Sequence, residues 1–363
     1  MMKRFDLLFC ALLAFLIFLP CCHSHETEQD DASEDAVVQD DAKTQAADVD
    51  TGKTYYPPAP GLPPAKDTIR IAVISDINGS YGSTYYSPNV HAAIRDIIRR
   101  KADIVLCAGD MVAGQKKGLN YNAMWQAFHY AVDDVFFDQG IDFVFAPGNH
   151  DASSYAGFEP ERAAYAQAWE SRKPRSPMIP GGRYPFWYGV LYRDILILTL
   201  DVTRPYALGD DQLDWLEASL RHYANARHKI VMGHLPIDPI RTAQFYDVVG
   251  SQRFLDILQA QKVDFYISGH HHVYYPGHID ELRTIAAPAL GANPRAFSRA
   301  NLPRNAYVWI ELPPEGPAKV EAFVAPDYLD TVDIKQLPAR IFQTDREDLG
   351  MANYIMELMD RAE

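Results

Sequence analysis

From Thr68 onward the chain repeats one pattern: a short apolar, β-branched run, a polar turn, then a stretch with helical periodicity. The runs at residues 69–74, 104–106, 143–146, 230–232 and 265–267 are short and nearly uninterrupted, which reads as buried strand. Between them, residues 91–101, 122–137, 160–171, 210–223 and 252–261 carry the helical period and predict helices. Alternation of this kind implies an α/β domain with largely parallel strand pairing. Further runs at 195–200, 307–312 and 319–324 are expected to extend a second sheet, and residues 349–359 suggest a packed C-terminal helix. No internal repeat is visible.

The N-terminal text differs. Met1-Met2-Lys3-Arg4 precedes an apolar run from Leu7 to Leu19 that ends in Pro20-Cys21-Cys22. A cationic start with about 13 apolar residues fits a secretory leader, since a spanning helix needs about 20. The double Cys resembles a bacterial lipoprotein signal, with Cys22 as the lipidated first residue of the mature chain. Pro20, and Cys21 in place of Gly, Ala or Ser before the cut, depart from that signal, so plain secretion and an uncleaved anchor stay open. The implied localisation is export, facing the periplasm or cell surface, with membrane attachment through the N-terminal lipid.

Charge sharpens the division. The chain of 363 residues has a formal net charge of −14, and residues 23–50 hold ten carboxylates against one cation, Lys43. With the Pro-rich stretch at 55–64, this predicts an extended, self-repelling tether over 23–67. The expected organisation is therefore a leader (1–22), a tether (23–67), a catalytic domain (68–325) and a C-terminal extension packed on it (326–363). At 48% hydrophobic residues a substantial core is assured. No basic block of five or more occurs, which excludes a dedicated nucleic-acid surface. Three of the four Cys belong to the leader, so Cys107 has no partner within the body and is expected in the core.

The chemistry lies in the residues just beyond each run. The five strands end in Ser75-Asp76-Ile77-Asn78, Ala108-Gly109-Asp110, Pro147-Gly148-Asn149-His150-Asp151, Gly233-His234-Leu235-Pro236 and Ser268-Gly269-His270-His271-His272. Ligands in open α/β sheets sit beyond the carboxyl ends of the strands, so these turns can converge. Asp, Asn and His without Cys suit Mn, Fe or Zn. Taken singly, Asp76 and Asp110 would pass for turn or cap residues; His270 and His272, alternating in an extended segment, project to one side while His271 points away. No G-x-S-x-G elbow and no G-x-x-x-x-G-K-[ST] loop is present.

The ordered set Asp76-x-Asn78, Gly109-Asp110, Gly148-Asn149-His150-Asp151, Gly233-His234 and Gly269-His270-His271-His272 resembles the calcineurin-like metallophosphoesterases, over residues 68 to about 325. The resemblance implies an αββα sandwich of two mixed sheets flanked by helices, and a metal-dependent phosphoesterase that attacks a phosphate mono- or diester with a metal-bridging hydroxide. It implies that Asp76 and His272 hold the first metal, that Asp110 bridges, and that Asn149, His234 and His270 complete the second; Asn78 is either a further ligand of the first metal or a hydrogen-bond partner of substrate or loop. His150 would be the acid over the substrate, oriented by Asp151. The implied cofactors are two divalent or trivalent ions. The implied partner is a phosphorylated small-molecule or lipid substrate, not nucleic acid.

Two positions depart from the family. Asn78 stands where a His is usual, which predicts a looser first site and a preference for Mn or Fe over Zn. Ala113 stands where purple acid phosphatases carry a metal-bound Tyr, so the tyrosinate colour of that subgroup is not expected, although residues 184–217 look like that branch. The loop 78–88 is expected to border the site. Arg295, Arg299 and Arg304 would either meet an anionic substrate or remain solvated surface residues. An exported metal-binding pseudoenzyme or ligand-binding module with a weakened first site is the alternative function.

Overall fold

The computed structural model describes residues 61–62, 65–295 and 303–347. The leader with Cys22, the tether up to residue 60, Arg299 and the helix expected at 349–359 lie outside the described residues. Among the described residues no helix is long and apolar enough to cross a membrane.

In chain order the elements are β1 (Ile69–Ile74), α1 (Pro88–Arg99), β2 (Ile104–Cys107), α2 (Tyr121–Phe128), α3 (Asp134–Asp138), β3 (Asp142–Phe145), α4 (Asn149–Ala152) and α5 (Glu159–Trp169). Next along the chain are β4 (Tyr188–Tyr192), β5 (Ile195–Thr199), α6 (Asp210–His222), β6 (His228–Met232), α7 (Gln252–Ala260), β7 (Phe265–Ser268), β8 (Tyr275–Ile279) and β9 (Leu282–Ala286). The last are β10 (Ala306–Leu312), β11 (Lys319–Val324), β12 (Arg340–Ile341) and β13 (Thr344–Arg346).

Two sheets result, one in the order β11-β10-β1-β2-β3 and one in the order β12-β13-β8-β9-β7-β6-β5-β4. β1, β2 and β3 pair in parallel, with β10 antiparallel beside β1. In the second sheet β5, β6, β7 and β9 run parallel, flanked by antiparallel β4 and β8. Both sheets are mixed, as the resemblance implies.

The period of two along each strand sets the layers. Ile195, Ile197, Ile230, Met232 and Ile267 join one core with Ile71 and Val73 of the first sheet. Their neighbours Leu196, Leu198, Val231 and Tyr266 turn the other way and join Leu213, Leu216 and Leu220 of α6 and Phe254 and Leu258 of α7. Each fully buried side chain of this size contributes about 1.5–3 kcal/mol. On the first sheet, Trp169 of α5 stacks on Phe145 of β3 with ring centroids 3.8 Å apart, and Tyr307 of β10 donates to Asp96 of α1 at 2.5 Å. Cys107 is fully buried in β2, and burial pushes its thiol pKa well up.

Three details depart from the sequence expectation. Residues 122–137 are not one uniform helix: α2 passes into α3 through a wider π turn at His129–Asp133. The hairpin β8–β9 is not expected from the sequence, because Pro276 and Gly277 argue against a strand. Residues 326–347 are not merely laid on the domain, since β13 pairs with β8 and extends the edge of the second sheet.

Candidate metal centre

β1 and β2 each end in a carboxylate on a sharply bent backbone. Asp76, Asp110, His270 and His272 all adopt positive φ, at 49°, 56°, 66° and 58°. For non-glycine residues this costs about 1–3 kcal/mol each and persists only where the surroundings enforce it. Here backbone hydrogen bonds stitch the turns together: Asp76 N donates to Gly109 O (3.0 Å), Ile77 N to Asp110 O (2.9 Å) and Gly269 N to His234 O (2.9 Å). Gly148 lies so close to Asp110 that a Cβ there would meet its N and Oδ1 at 2.2 Å. The glycine lets the third turn press against the second.

His272 donates from Nδ1 to the Asn293 carbonyl (2.8 Å), which leaves a lone pair on Nε2 of the neutral ring. That Nε2 lies 3.1 Å from Asp76 Oδ1. Asp76 Oδ2 accepts from Ser75 Oγ (2.8 Å) and His270 N (3.0 Å), whereas Oδ1 is buried without a hydrogen-bond donor. The 3.1 Å approach thus lacks hydrogen-bond geometry, and an orphaned buried acceptor costs about 1–3 kcal/mol. Asp76, Asp110 and His272 each offer one ligand atom, all within 4.8 Å of one another. This trio fits a cation.

The second set is built alike around His234. Its Nδ1 donates to Ala108 O (2.7 Å), and its Nε2 lies 2.9 Å from Asn149 Oδ1 and 3.4 Å from Asp110 Oδ1. Asn149 Nδ2 donates to Gln115 Oε1 (2.9 Å), which turns its oxygen toward His234. His270 stacks edge-on at 5.0 Å between ring centroids, but its Nε2 leans to Asp247 Oδ2 at 3.8 Å. Asn78 is buried, lines the cavity above the cluster and donates its backbone N–H to Asp110 O (3.2 Å).

The electrostatics agree with the geometry. Burial opposes charge on His234, yet the Asp110 carboxylate outweighs it and pushes the pKa up to about 9. Burial likewise opposes charge on His272, and Asp76 raises it. Burial would raise Asp110, but His234 and His150 hold it well below the usual carboxylate range. The pocket demands positive charge, and its oxygen and nitrogen donors without sulfur suit Mn, Fe or Zn.

His150 sits at the edge of a cavity of about 600 Å³ that also meets Tyr81, Asp110, His270, His272 and Arg295. Its Nδ1 donates to the Gly114 carbonyl (3.0 Å), its Nε2 stands 4.0 Å from Asp110 Oδ2, and the Tyr81 ring lies 5.5 Å away. The ring is therefore set by Gly114, not by Asp151. Asp151 is fully buried and accepts from Met111 N (2.8 Å), Val112 N (2.9 Å) and Gly148 N (2.8 Å), so it ties the second turn to the third. Buried Ala113 presents only a methyl side chain.

Sequence reasoning missed several participants. Glu161 is buried and accepts from Gln115 N (2.5 Å) and Ser153 N (2.9 Å), which fixes the loop that holds both Asn149 and His150. An acidic residue in the first turn of α5 reads from sequence as ordinary helix chemistry. Gln115 and Asp247 carry no sequence signal, because neither stands directly after a strand. His271 is the structural member of its triplet: its Nδ1 accepts from Ile240 N (3.1 Å), its Nε2 donates to Asp247 O (3.0 Å), and burial pushes its pKa down to about 3.

A family model described as calcineurin-like phosphoesterase matches residues 69–274. Among solved structures, the chain is similar to a purple acid phosphatase from yellow lupin (Lupinus luteus) seeds at 16% identity, with TM-score 0.52 over 72% of this chain and 52% of that one. It thus spans about half the length of the lupin enzyme. It is also similar to a dimetal phosphatase from Danio rerio at 14% identity, with TM-score 0.50 over 73% of this chain and 98% of that one. At such identities the likeness is one of fold. No curated protein sequence matches the chain.

Proposed function

The chain belongs to the calcineurin-like phosphoesterase family, and we propose that it hydrolyses a phosphate mono- or diester at a two-metal centre. Asp76, Asp110, His272 and Asn78 would hold one ion, and Asp110, Asn149, His234 and His270 the other. The observation that carries this reading is the buried, donorless Asp76 Oδ1 facing the free lone pair of His272 beside Asp110. Bound there, the ions would acidify a water and draw charge from the phosphoryl oxygens.

The chain's own residues do the rest. His150, anchored at Nδ1, presents Nε2 to the cavity and can hand a proton to the departing oxygen. Glu161 and Gln115 keep His150 and Asn149 in place. The chain's shared Asp110 couples the two ligand sets. A binding module without turnover has no use for a ring held this way, which favours the enzyme over the ligand-binding alternative. The substrate in this reading is a phosphorylated small molecule or lipid, met in the periplasm or at the cell surface by an exported, lipid-tethered protein.

The test is hydrolysis of p-nitrophenyl phosphate and bis-p-nitrophenyl phosphate by the purified protein, stripped with chelator and resupplied with Mn²⁺. Turnover that returns with metal and is absent in His150→Ala supports the reading. Metal uptake at both sites without turnover of any ester would overturn it in favour of a binding module.

A further inference from the structure

One wall of the cavity is built by segments that carry no expected ligand. Residues 291–295 are pinned to the ligand turns: Gly291 N and Ala292 N donate to Asp76 O (3.0 and 2.9 Å), and Arg295 N donates to His272 O (3.1 Å). A Cβ at Gly291 would meet the Ile77 carbonyl at 2.0 Å, so this segment is seated as closely as a chain permits. Residues 240–247 are pinned through both ring nitrogens of His271 and through Gln244 Nε2, which donates to His270 O at 3.4 Å. Gln244 and Arg295 both line the cavity.

Among the described residues the Arg295 guanidinium has no hydrogen bond or ion pair, although its charge is felt by Asp247 on the same wall. Arg241 donates from Nη1 to Gln244 Oε1 (2.9 Å), which fixes that amide with its Nε2 toward the His270 carbonyl at the cavity wall. Burial lowers the Arg241 pKa, and the charge of Arg295 lowers it further, so the two guanidinium groups feel each other. The Asp247 carboxylate on this wall is turned to His270 at 3.8 Å. A doubly charged phosphate would balance two divalent ions held by Asp76 and Asp110. Asp247 offsets only one of the Arg295 and Arg241 charges.

We infer that the cavity takes phosphoesters whose leaving group carries a second oxyanion, a carboxylate or a further phosphate, held by Arg295 and the Gln244 amide. This rests on the phosphoesterase reading and names its substrate class. Arg295 is thereby a specificity-determining residue, since a guanidinium fork matches either oxyanion.

The experiment is calorimetric titration of the metal-loaded protein, at physiological ionic strength, with benzylphosphonate, its 3- and 4-carboxy derivatives, and a benzylphosphonate bearing a second phosphonate. Wild type should bind at least one doubly anionic ligand about tenfold more tightly than the parent. The carboxylate and phosphonate arms show which oxyanion the wall prefers. Arg295→Gln should reduce the ratio to near one, and Arg295→Lys, which keeps the charge without the fork, should retain part of it. An advantage that survives in Arg295→Gln, or its absence in wild type for every second anion, overturns the inference. Turnover of phenyl phosphate and carboxyphenyl phosphate on the same samples separates the two levels. Turnover without charge preference sinks the inference alone. Charge-selective binding without metal-dependent turnover sinks the phosphoesterase reading and keeps the anion subsite.

Discussion

The two proposed ligand sets share Asp110 but differ in how closely their donors converge. Asp76, Asp110 and His272 bring three ligand atoms within 4.8 Å, with one carboxylate oxygen lacking any donor. Around His234 the close partners are the neutral Asn149 and the shared Asp110, while His270 leans toward Asp247. The sequence expectation is the reverse, a loose first site caused by Asn78. A ligand's type is only half of a site. Net charge and the absence of competing donors set its hold on a cation, and by that measure the first set is the stronger.

The largest effect should come from removing what the two sets share. Asp110→Ala is expected to empty both, with turnover down on the order of 10³-fold or more, read by metal analysis and hydrolysis of an aryl phosphate. Retention of one full equivalent of metal would show that the sets are independent.

Next come the two histidines of one turn. His272→Ala should weaken the tighter metal by about 100-fold, and His270→Ala the weaker metal by about tenfold, each measured by competition with a chelator. Equal losses would erase the distinction between the sets. A smaller change tests the competition at His270. In Asp247→Asn the outer carboxylate no longer draws the ring, so the weaker metal should bind about two- to fivefold more tightly. Weaker binding would instead make Asp247 a helper of the site.

His271→Leu should move metal affinity least. It removes two buried hydrogen bonds and should destabilise the fold by about 2–3 kcal/mol, seen as a lower Tm in thermal unfolding. The loss of metal without a change in Tm would place His271 among the ligands.

The five strand-end turns are legible in the sequence because buried strands are short apolar runs, and the polar residue just past each one stands out. Which of two cores each side chain at 195–198 and 230–232 joins is not legible, because these runs are apolar throughout and only packing separates their faces. The hairpin β8–β9 is not legible either, because Pro276 and Gly277 conceal a strand that only its neighbours stabilise. The place of Asp151 is hidden as well, because its carboxylate binds three backbone amides of two turns, a partnership invisible along the chain.

By itself the sequence determined which donor types reach the strand ends, in what order, and that no thiolate is among them. Those come from local rules: apolar runs make strands, and the turn residue sits at the carboxyl end. What each donor is free to do depends on neighbours brought in by folding. The Ala108 carbonyl fixes the His234 tautomer from 126 residues away, Asn293 fixes that of His272, and Gln115 turns the Asn149 oxygen inward. Whether a lone pair is spent on a hydrogen bond or left for a metal depends on such distant partners, and no spacing along the chain encodes them.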